Sequence, residues 1–282
     1  MRLARLSLDH AVYLARLEDD TAVLLHQEST HPAADALREA LLASVDLEGQ
    51  GLGQVEAGYR LLAPVRNPSK FFGVGLNYAD HAREGGHEAP ENPVFFLKTP
   101  NTIIGPGEPI RFDPEVTDAV DYEVELVVII GRTVSPGDEI ERPSILGYTV
   151  GNDVTARDAQ LADVQWPRSK CYDTFAPLGP WIVSADDFNA TGQRLWCDVS
   201  GERMQDSFTS NLVFDPEELV RYLSRSITLE PGDLITTGTP AGVGFARTPP
   251  RFLRDGDYVE VGIDGIGTLA NPVIARSRGR PR

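Results

Sequence analysis

From residue 71 onward, the chain consists of short apolar runs separated by glycine and proline. Most of these runs are rich in β-branched and aromatic residues and are too short for typical helices, which is the pattern of strands. The predicted strands are residues 95–98, 122–130, 146–150, 181–183, 234–237 and 258–263. The pattern therefore predicts an α+β fold that is dominated by β-sheet.

One predicted strand contains five consecutive apolar residues, 126–130. Successive side chains of a strand point to opposite faces, so an apolar run without alternation predicts burial on both faces. This is also the longest fully apolar run of the chain, and it is far shorter than the roughly 20 residues needed to cross a bilayer. We therefore expect a central, covered strand and no transmembrane segment.

The strongest helix signal begins at Asp215. An aspartate at the N-cap, Pro216 at the first helical position and Glu218 two positions later form the pattern of a capping box. Apolar residues then recur at helical spacing, beginning with Leu219 and Val220. The sequence predicts an amphipathic helix at this point.

The N-terminal region differs from the rest of the chain. Residues 2–26 show strand patterning, and residues 32–44 carry leucines at helical spacing. A glycine-rich stretch then leads to Pro64, which is typical of a connection between units. We predict a small N-terminal α/β domain over residues 1–65 and a larger catalytic domain over residues 66–282.

Charge and cysteine content limit the partners and the compartment. The 42 acidic residues outnumber the 26 basic ones, and the formal charge of −16 repels nucleic acids and anionic membrane surfaces. The two cysteines lack the CxxC spacing of zinc or redox sites, and Asp9 interrupts the start of any secretion signal. We therefore expect a cytoplasmic protein with no nucleic-acid or membrane partner.

Acidic residues directly precede the apolar run. Glu123 and Glu125 share one face of the predicted strand, with Asp121 behind them. They either form a solvent-facing strand surface or are buried, and buried carboxylates need protons or a cation. Asp153 ends another predicted strand and supplies a third carboxylate. Three carboxylates without Cys or His favour Mg²⁺ or Mn²⁺ over Ca²⁺.

His81 and Glu84 lie one helical turn apart, so the carboxylate can orient the imidazole as a general base. The flanking glycines Gly75 and Gly85 suggest a short helix that acts as a movable lid. The alternative is an incidental pair on a surface helix.

Two further features admit both a functional and a structural interpretation. The chain contains only three lysines, so Lys170 either stabilises an anion beside a metal or is an ordinary surface residue. The glycine-rich segment 236–244 is either a loop between strands or a turn that presents N–H groups to an anion.

Taken together, these segments resemble the fumarylacetoacetate hydrolase superfamily over residues 71–273. Six motifs occur in the family's order and make the resemblance specific. They are GLNYADH at residues 75–81, FLK at 96–98, DYEVEL at 121–126, GNDVTARD at 151–158, DTFAPLGP at 173–180 and TGTP at 237–240.

The resemblance implies a mixed β-sandwich roll, like the C-terminal domain of that family, in a homodimer. It also implies that Mg²⁺ or Mn²⁺ is held by Glu123, Glu125 and Asp153. His81 and Glu84 correspond to the dyad that activates water. The residues expected at the substrate are Arg157, Gln160, Lys170 and Thr239, of which Lys170 is expected to take part in catalysis.

The upstream aspartate ligand of the long eukaryotic enzymes is not found, so the chain resembles the shorter acylpyruvase and diketo-acid hydrolase group. The expected function is metal-dependent C–C cleavage of a 2,4-diketo acid, a small anionic 2-oxo acid, through a metal-bound enolate. The alternatives at the same site are a 2-oxo acid decarboxylase or a tautomerase or isomerase of the oxaloacetate or hydroxymuconate type. A catalytically silent family member is a further alternative.

Overall fold

A computed structural model describes residues 1–31, 33–140 and 144–276, so residues 277–282 of the predicted catalytic domain lie outside the described residues. The strands are β1 (Arg2–Leu8), β2 (Ala11–Glu18), β3 (Thr21–Gln27), β4 (Gly53–Val55), β5 (Arg60–Leu62), β6 (Phe71–Gly75), β7 (Val94–Leu97), β8 (Ile103–Ile104), β9 (Ile110–Phe112), β10 (Val120–Asp121), β11 (Val124–Ile130), β12 (Ile145–Asn152), β13 (Thr155–Ala156), β14 (Ala176–Ser184), β15 (Arg194–Val199), β16 (Glu202–Phe208), β17 (Leu234–Thr236), β18 (Tyr258–Ile263) and β19 (Gly267–Ala275). The α-helices are α1 (Ala36–Leu42), α2 (Ala79–Glu84), α3 (Arg157–Ala162), α4 (Pro167–Lys170) and α5 (Pro216–Ser224).

Most strands belong to two mixed sheets. The larger sheet has the order β4-β3-β2-β1-β14-β12-β11-β17-β6-β7, with β5 beside β1 and β8 beside β14. The smaller sheet has the order β16-β15-β18-β19-β9, and β10 and β13 form a separate pair. Most neighbours are antiparallel, while β17 with β6, β14 with β8 and β19 with β9 are parallel. The predicted β-dominated α+β fold is confirmed.

Strand β11 is central and covered on both sides. Its neighbours in the sheet are β12 and β17. Leu126 and Val128 join the core cluster that includes residues of the smaller sheet, whereas Val127 and Ile129 pack with the N-terminal strands and α1. The apolar run therefore predicted its double burial correctly. Because the strand is covered on both faces, Glu125 on the same strand is also buried.

Helix α5 has the predicted start. The Asp215 side chain accepts a hydrogen bond from the backbone N–H of Glu218, and the Glu218 side chain accepts one from the backbone N–H of Asp215. Leu219, Val220 and Leu223 form the buried face of the helix. Among the described residues, no helix is both long enough and apolar enough to span a membrane.

The N-terminal strands continue the larger sheet. Strand β1 pairs with β14 through Arg2 and Leu3, so β1, β2 and β3 extend the sheet that contains β11. Helix α1 packs its buried face, including Leu37, against these strands. A domain boundary at residue 65 stays a prediction, since this continuity concerns the sheet and not independent folding.

A buried ion pair joins β1 to the start of α1. Glu28 accepts hydrogen bonds from Arg5 Nε at 2.5 Å, from Arg5 Nη2 at 2.9 Å and from the backbone N–H of Ala36 at 2.9 Å. Burial alone would raise the pKa of Glu28, but these partners lower it below its usual value. The pair therefore stabilises the fold above the ordinary glutamate pKa of about 4.3.

We expect Glu28→Gln to lower the free energy of unfolding near neutral pH by about 3 kcal/mol, because it leaves Arg5 buried without a charged partner. The difference from wild type should shrink as the pH falls through the lowered pKa of Glu28, since protonation neutralises the wild-type carboxylate. Urea denaturation across acidic pH checks this. A difference that does not depend on pH would mean that the pair adds no electrostatic stability.

Candidate active site

Three carboxylates converge where β11 and β12 meet at one end. Glu123 directly precedes β11, Glu125 lies in β11, and Asp153 directly follows β12. The antiparallel register places Glu125 opposite Gly151, and the N–H of Asp153 donates to the Glu123 carbonyl at 2.9 Å. One oxygen from each carboxylate lies within 4.8 Å of the other two, and all three side chains are buried. The predicted grouping of Glu123, Glu125 and Asp153 is therefore present, and the solvent-facing alternative is wrong.

Two lysines neutralise part of this charge. Lys170 Nζ, at the end of α4, donates to Glu123 Oε2 and to Asp153 Oδ2, each at 2.7 Å. Lys98 Nζ donates to the other oxygen of Asp153 at 2.6 Å. Both lysines are buried, so the interpretation of Lys170 as an ordinary surface residue is wrong.

Arg157 is held between two carboxylates. Its Nε donates to Asp121 Oδ2 at 2.8 Å, and its Nη2 donates to Glu123 Oε1 at 2.5 Å. Its Nη1 donates to Gln160 Oε1 at 2.8 Å, which leaves the amide N–H groups of Gln160 to donate elsewhere. Helix α3 begins at Arg157, so Arg157 and Gln160 lie one turn apart on the same face.

The carboxylates differ in their ionisation. Burial raises the pKa of Glu123, but the Lys170 and Arg157 cations outweigh it and lower that pKa to about 2. Burial, together with the charges of Asp153 and Glu123, raises the pKa of Glu125 well above its usual value. Burial lowers the pKa of Lys170, but Asp153 and Glu123 outweigh it, so Lys170 stays protonated. Glu125 is thus the carboxylate whose charge is least compensated.

The donor set fits a hard divalent cation. Counting every carboxyl as ionised, Asp121, Glu123, Glu125 and Asp153 outnumber Lys98, Arg157 and Lys170 by one charge. An ion held by one oxygen each from Glu123, Glu125 and Asp153 would relieve the repulsion at Glu125 and make the site positive. An all-oxygen set without Cys or His matches Mg²⁺ or Mn²⁺.

The predicted dyad lies beside this cluster. His81 and Glu84 are on α2, and His81 Nδ1 lies 3.4 Å from Glu84 Oε2. Glu84 also accepts a hydrogen bond from the backbone N–H of Gly242 at 2.9 Å, which ties α2 to the segment after β17. His81 lines the same cavity as Glu123, Glu125 and Lys170. The pair is therefore not an incidental contact on an isolated surface helix.

The glycine-rich segment 236–244 presents N–H groups to anions, and those anions belong to the protein itself. The N–H groups of Gly238, Gly242 and Gly244 donate to Glu125, Glu84 and Asp121, at 2.7, 2.9 and 2.7 Å. Gly238 has a φ of +94°, and a Cβ there would lie 2.9 Å from Asn77 Cβ, so glycine is required. The segment thus holds three of the acidic side chains in place.

Thr239, a predicted substrate-binding residue, lines the cavity, and its hydroxyl already has two protein partners. Its Oγ1 donates to the Val124 carbonyl at 3.0 Å and accepts from Gln205 Nε2 at 2.8 Å. A substrate group would therefore contact a fixed hydroxyl.

Several residues of this site have contacts that no sequence motif predicted. Asp121 accepts hydrogen bonds from Arg157 and from the backbone N–H groups of Tyr122, Gly244 and Phe245. The rarity of lysine is a sequence signal for Lys98 as well as for Lys170. Trp166 and Phe245 line the cavity, and no motif pointed to either.

The cavity has a volume of about 220 Å³. Seven of the nine predicted site residues line it, and Glu84 and Asp153 do not. Its residues come from distant parts of the chain, chiefly β6, α2, α3, α4 and the segment after β17. A small anionic molecule would meet cations, carboxylates and an imidazole there at once.

This combination of β-sandwich roll and buried carboxylate site defines a known class of enzyme fold. Residues 70–274 match the family model described as fumarylacetoacetate (FAA) hydrolase C-terminal. The chain belongs to the fumarylacetoacetate hydrolase superfamily, whose members are enzymes and typically bind a divalent metal.

Several proteins whose names state an activity are similar to most of the chain. The mitochondrial oxaloacetate tautomerase of Xenopus laevis is 43% identical over 222 residues, which cover 76% of this chain and 68% of that protein. The crystal structure of 5-carboxymethyl-2-hydroxymuconate delta-isomerase from Mycobacterium smegmatis is 40% identical with a TM-score of 0.79, covering 98% of this chain and all of that one. Fumarylacetoacetate hydrolase from Exiguobacterium antarcticum is 36% identical with a TM-score of 0.84 and the same coverage.

Proposed function

We propose that the protein is a metal-dependent tautomerase that interconverts the keto and enol forms of a small 2-oxo acid. The observation that carries the proposal is the buried cluster of Glu123, Glu125, Asp153 and Lys170. The cavity that this cluster lines is also lined by His81, the imidazole that contacts Glu84. The names of the relatives, an oxaloacetate tautomerase and a hydroxymuconate isomerase, favour this alternative over the C–C hydrolysis expected first.

A divalent cation held by Glu123, Glu125 and Asp153 would supply Lewis-acid polarisation of the 2-oxo group when bound. Arg157 and Lys170 line the cavity as cations and attract the negatively charged head of the substrate. Gln160 can donate an amide N–H to a substrate oxygen, because its own oxygen is occupied by Arg157.

His81 is the proposed carrier of the proton. Carboxylates only accept hydrogen bonds, so the contact with Glu84 favours the His81 tautomer that carries its ring proton on Nδ1. Nε2 then has a free lone pair and can take a proton from C3 of the keto form. Transfer of that proton from Nε2 through water to the C2 oxygen completes the enol and regenerates the base. In the reverse direction the C2 hydroxyl loses its proton and Nε2 returns a proton to C3.

Negative charge develops on the C2 oxygen as the C3 proton leaves. The Lys170 ammonium and the Arg157 guanidinium are already fixed by buried carboxylates, so they need no reorganisation during the reaction. Such prearranged charges contribute more to catalysis than mobile ones do. Both cations therefore serve the transition state as well as substrate binding.

C–C hydrolysis of a 2,4-diketo acid is the second candidate. It is favoured by the same His81 and Glu84 pair, which is equally suited to removing a proton from water. Decarboxylation of oxaloacetate would use the same stabilised enolate. Assembly as a homodimer and a cytoplasmic location stay predictions.

The test is an assay of the purified protein with Mg²⁺ on oxaloacetate and acetylpyruvate, with products identified by NMR. The proposal predicts rapid exchange of the C3 protons of oxaloacetate in deuterated water, without net loss of substrate. Cleavage of acetylpyruvate to pyruvate and acetate, without that exchange, would instead support the hydrolase. Inertness towards both substrates would contradict both proposals and favour the silent family member.

A further inference from the structure

The cavity has two chemically distinct parts. The ionic part contains Glu123, Glu125, Arg157 and Lys170, which the proposed chemistry uses. A second group of lining residues, hereafter the apolar wall, is mostly hydrocarbon and has no part in that chemistry. It consists of Val74, Leu76, Phe96, Leu161, Trp166 and Phe245.

Trp166 is seated in a notch formed by a glycine. A Cβ at Gly75 would lie 2.3 Å from Trp166 Cζ3 and 2.8 Å from Cη2, so only glycine lets the indole approach β6. Trp166 also contacts Phe96 edge-on, with 5.9 Å between the ring centroids and 73° between the ring planes. Phe96 in turn occupies a notch over Gly73, where a Cβ would lie 2.2 Å from its ring. Two glycines of β6 thus allow two aromatic rings to line the cavity.

Two other apolar side chains contribute from α3 and the segment after β17. The Phe245 ring packs against the Arg157 guanidinium, with 4.6 Å between the guanidinium carbon and the ring centroid. Leu161 lies next to Gln160 on α3, and 84% of it is exposed. Covering a large, exposed leucine at the edge of a cavity with an apolar ligand group favours binding, because apolar surface is removed from water.

The apolar wall offers little for a second carboxylate. Among the described residues that line the cavity, the cations Arg157 and Lys170 are already paired with buried carboxylates. Of the two histidines, His81 contacts Glu84, and His87 is exposed. A dicarboxylate that turned its distal charge towards the apolar wall would place that charge against hydrocarbon, and no unpaired cation among these lining residues would meet it.

We propose that the preferred substrates are 2-oxo acids with an apolar, ring-sized substituent beyond the oxo group, and that Trp166 is the residue that selects for it. This inference deepens the proposed function and rests on the site described there. It differs from what the names of the relatives suggest, because oxaloacetate carries a second carboxylate in place of an apolar group.

A matched pair of 2-oxo acids without C3 protons tests the pocket independently of turnover. Phenylglyoxylate carries a phenyl ring and oxomalonate a carboxylate, and neither can enolise. Isothermal titration with Mg²⁺ present should show phenylglyoxylate binding to the wild type about 10- to 100-fold more tightly. Equal binding, tighter oxomalonate binding, or no binding of either would overturn the inference.

Two variants locate the selectivity. Trp166→Ala should reduce phenylglyoxylate affinity at least about tenfold more than oxomalonate affinity, because it removes the aromatic surface of the apolar wall. Leu161→Arg keeps an exposed position exposed and should shift the preference towards oxomalonate by adding a cation. If Trp166→Ala does not fold, Leu161→Arg still tests the inference. A ratio of phenylglyoxylate to oxomalonate affinity that is unchanged from wild type, in whichever variant is measured, would overturn the inference.

Trp196→Ala is the matched control. Trp196 lies in β15, also against a glycine, since a Cβ at Gly262 would lie 2.5 Å from its ring, and it lines none of the cavity. We expect it to leave the affinity ratio unchanged. His87→Ala tests the opposite preference, for a second carboxylate. The proposal would be contradicted if the wild type preferred oxomalonate and His87→Ala selectively lost oxomalonate binding. Failure of the tautomerase assay alone, with phenylglyoxylate binding intact, would count against the proposed reaction and not against the pocket.

Discussion

Replacing Glu125 with glutamine is expected to reduce the affinity for Mn²⁺ by at least about 100-fold and to abolish metal-dependent turnover. Glu125 is the least compensated carboxylate of the cluster, and an amide oxygen offers a divalent ion no charge. The amide can still accept the hydrogen bond from Gly238, so local geometry should persist. Electron paramagnetic resonance of Mn²⁺ gives the affinity directly.

The same substitution should not weaken the metal-free fold. Burial and the repulsion from Asp153 and Glu123 raise the pKa of Glu125, so its charge opposes folding in the absence of a cation. We therefore expect the free energy of unfolding in EDTA to be equal to or above that of wild type. Glu202→Gln, at an exposed position, is the control for both measurements. Wild-type Mn²⁺ affinity in the Glu125 variant would show that the carboxylates do not form the metal site.

Replacing His81 with alanine is expected to slow C3 proton exchange of oxaloacetate by about 10²- to 10⁴-fold, the usual contribution of a general base. Mn²⁺ affinity should stay near that of wild type, because His81 is absent from the cluster of carboxylate oxygens. The separation of these two effects distinguishes proton transfer from metal binding.

Two comparisons complete this test. His31→Ala, which alters an exposed histidine, should behave like wild type. Glu84→Gln should retain part of the activity, since it alters the orientation of His81 without removing the base. Undiminished exchange in His81→Ala would mean that another group carries the proton.

Local patterns in the sequence predicted the parts of the molecule that depend on local physics. The unalternating run in β11 predicted burial on both faces, and the capping pattern at Asp215 predicted the start of α5. The same run led to the inference that Glu125 is buried, from which the metal site followed. These predictions succeeded because strand and helix periodicity act over a few residues.

Such local patterns could not predict the long-range contacts. The pairing of β1 with β14 joins residues about 180 positions apart, and nothing in residues 2–8 specifies that partner. Asp121 looked like part of the acidic strand, whereas its carboxylate organises Arg157 and the turn at Gly244. The glycine notch for Trp166 is likewise visible only once β6 and α4 lie side by side.

The proposed chemistry depends on the position of the metal ion. Crystals soaked in Mn²⁺ should show a single strong anomalous peak between the oxygens of Glu123, Glu125 and Asp153, and the peak should disappear in crystals of the Glu125→Gln variant. A wild-type cluster that contains no peak, or manganese bound only at other acidic side chains, would contradict the account of this site.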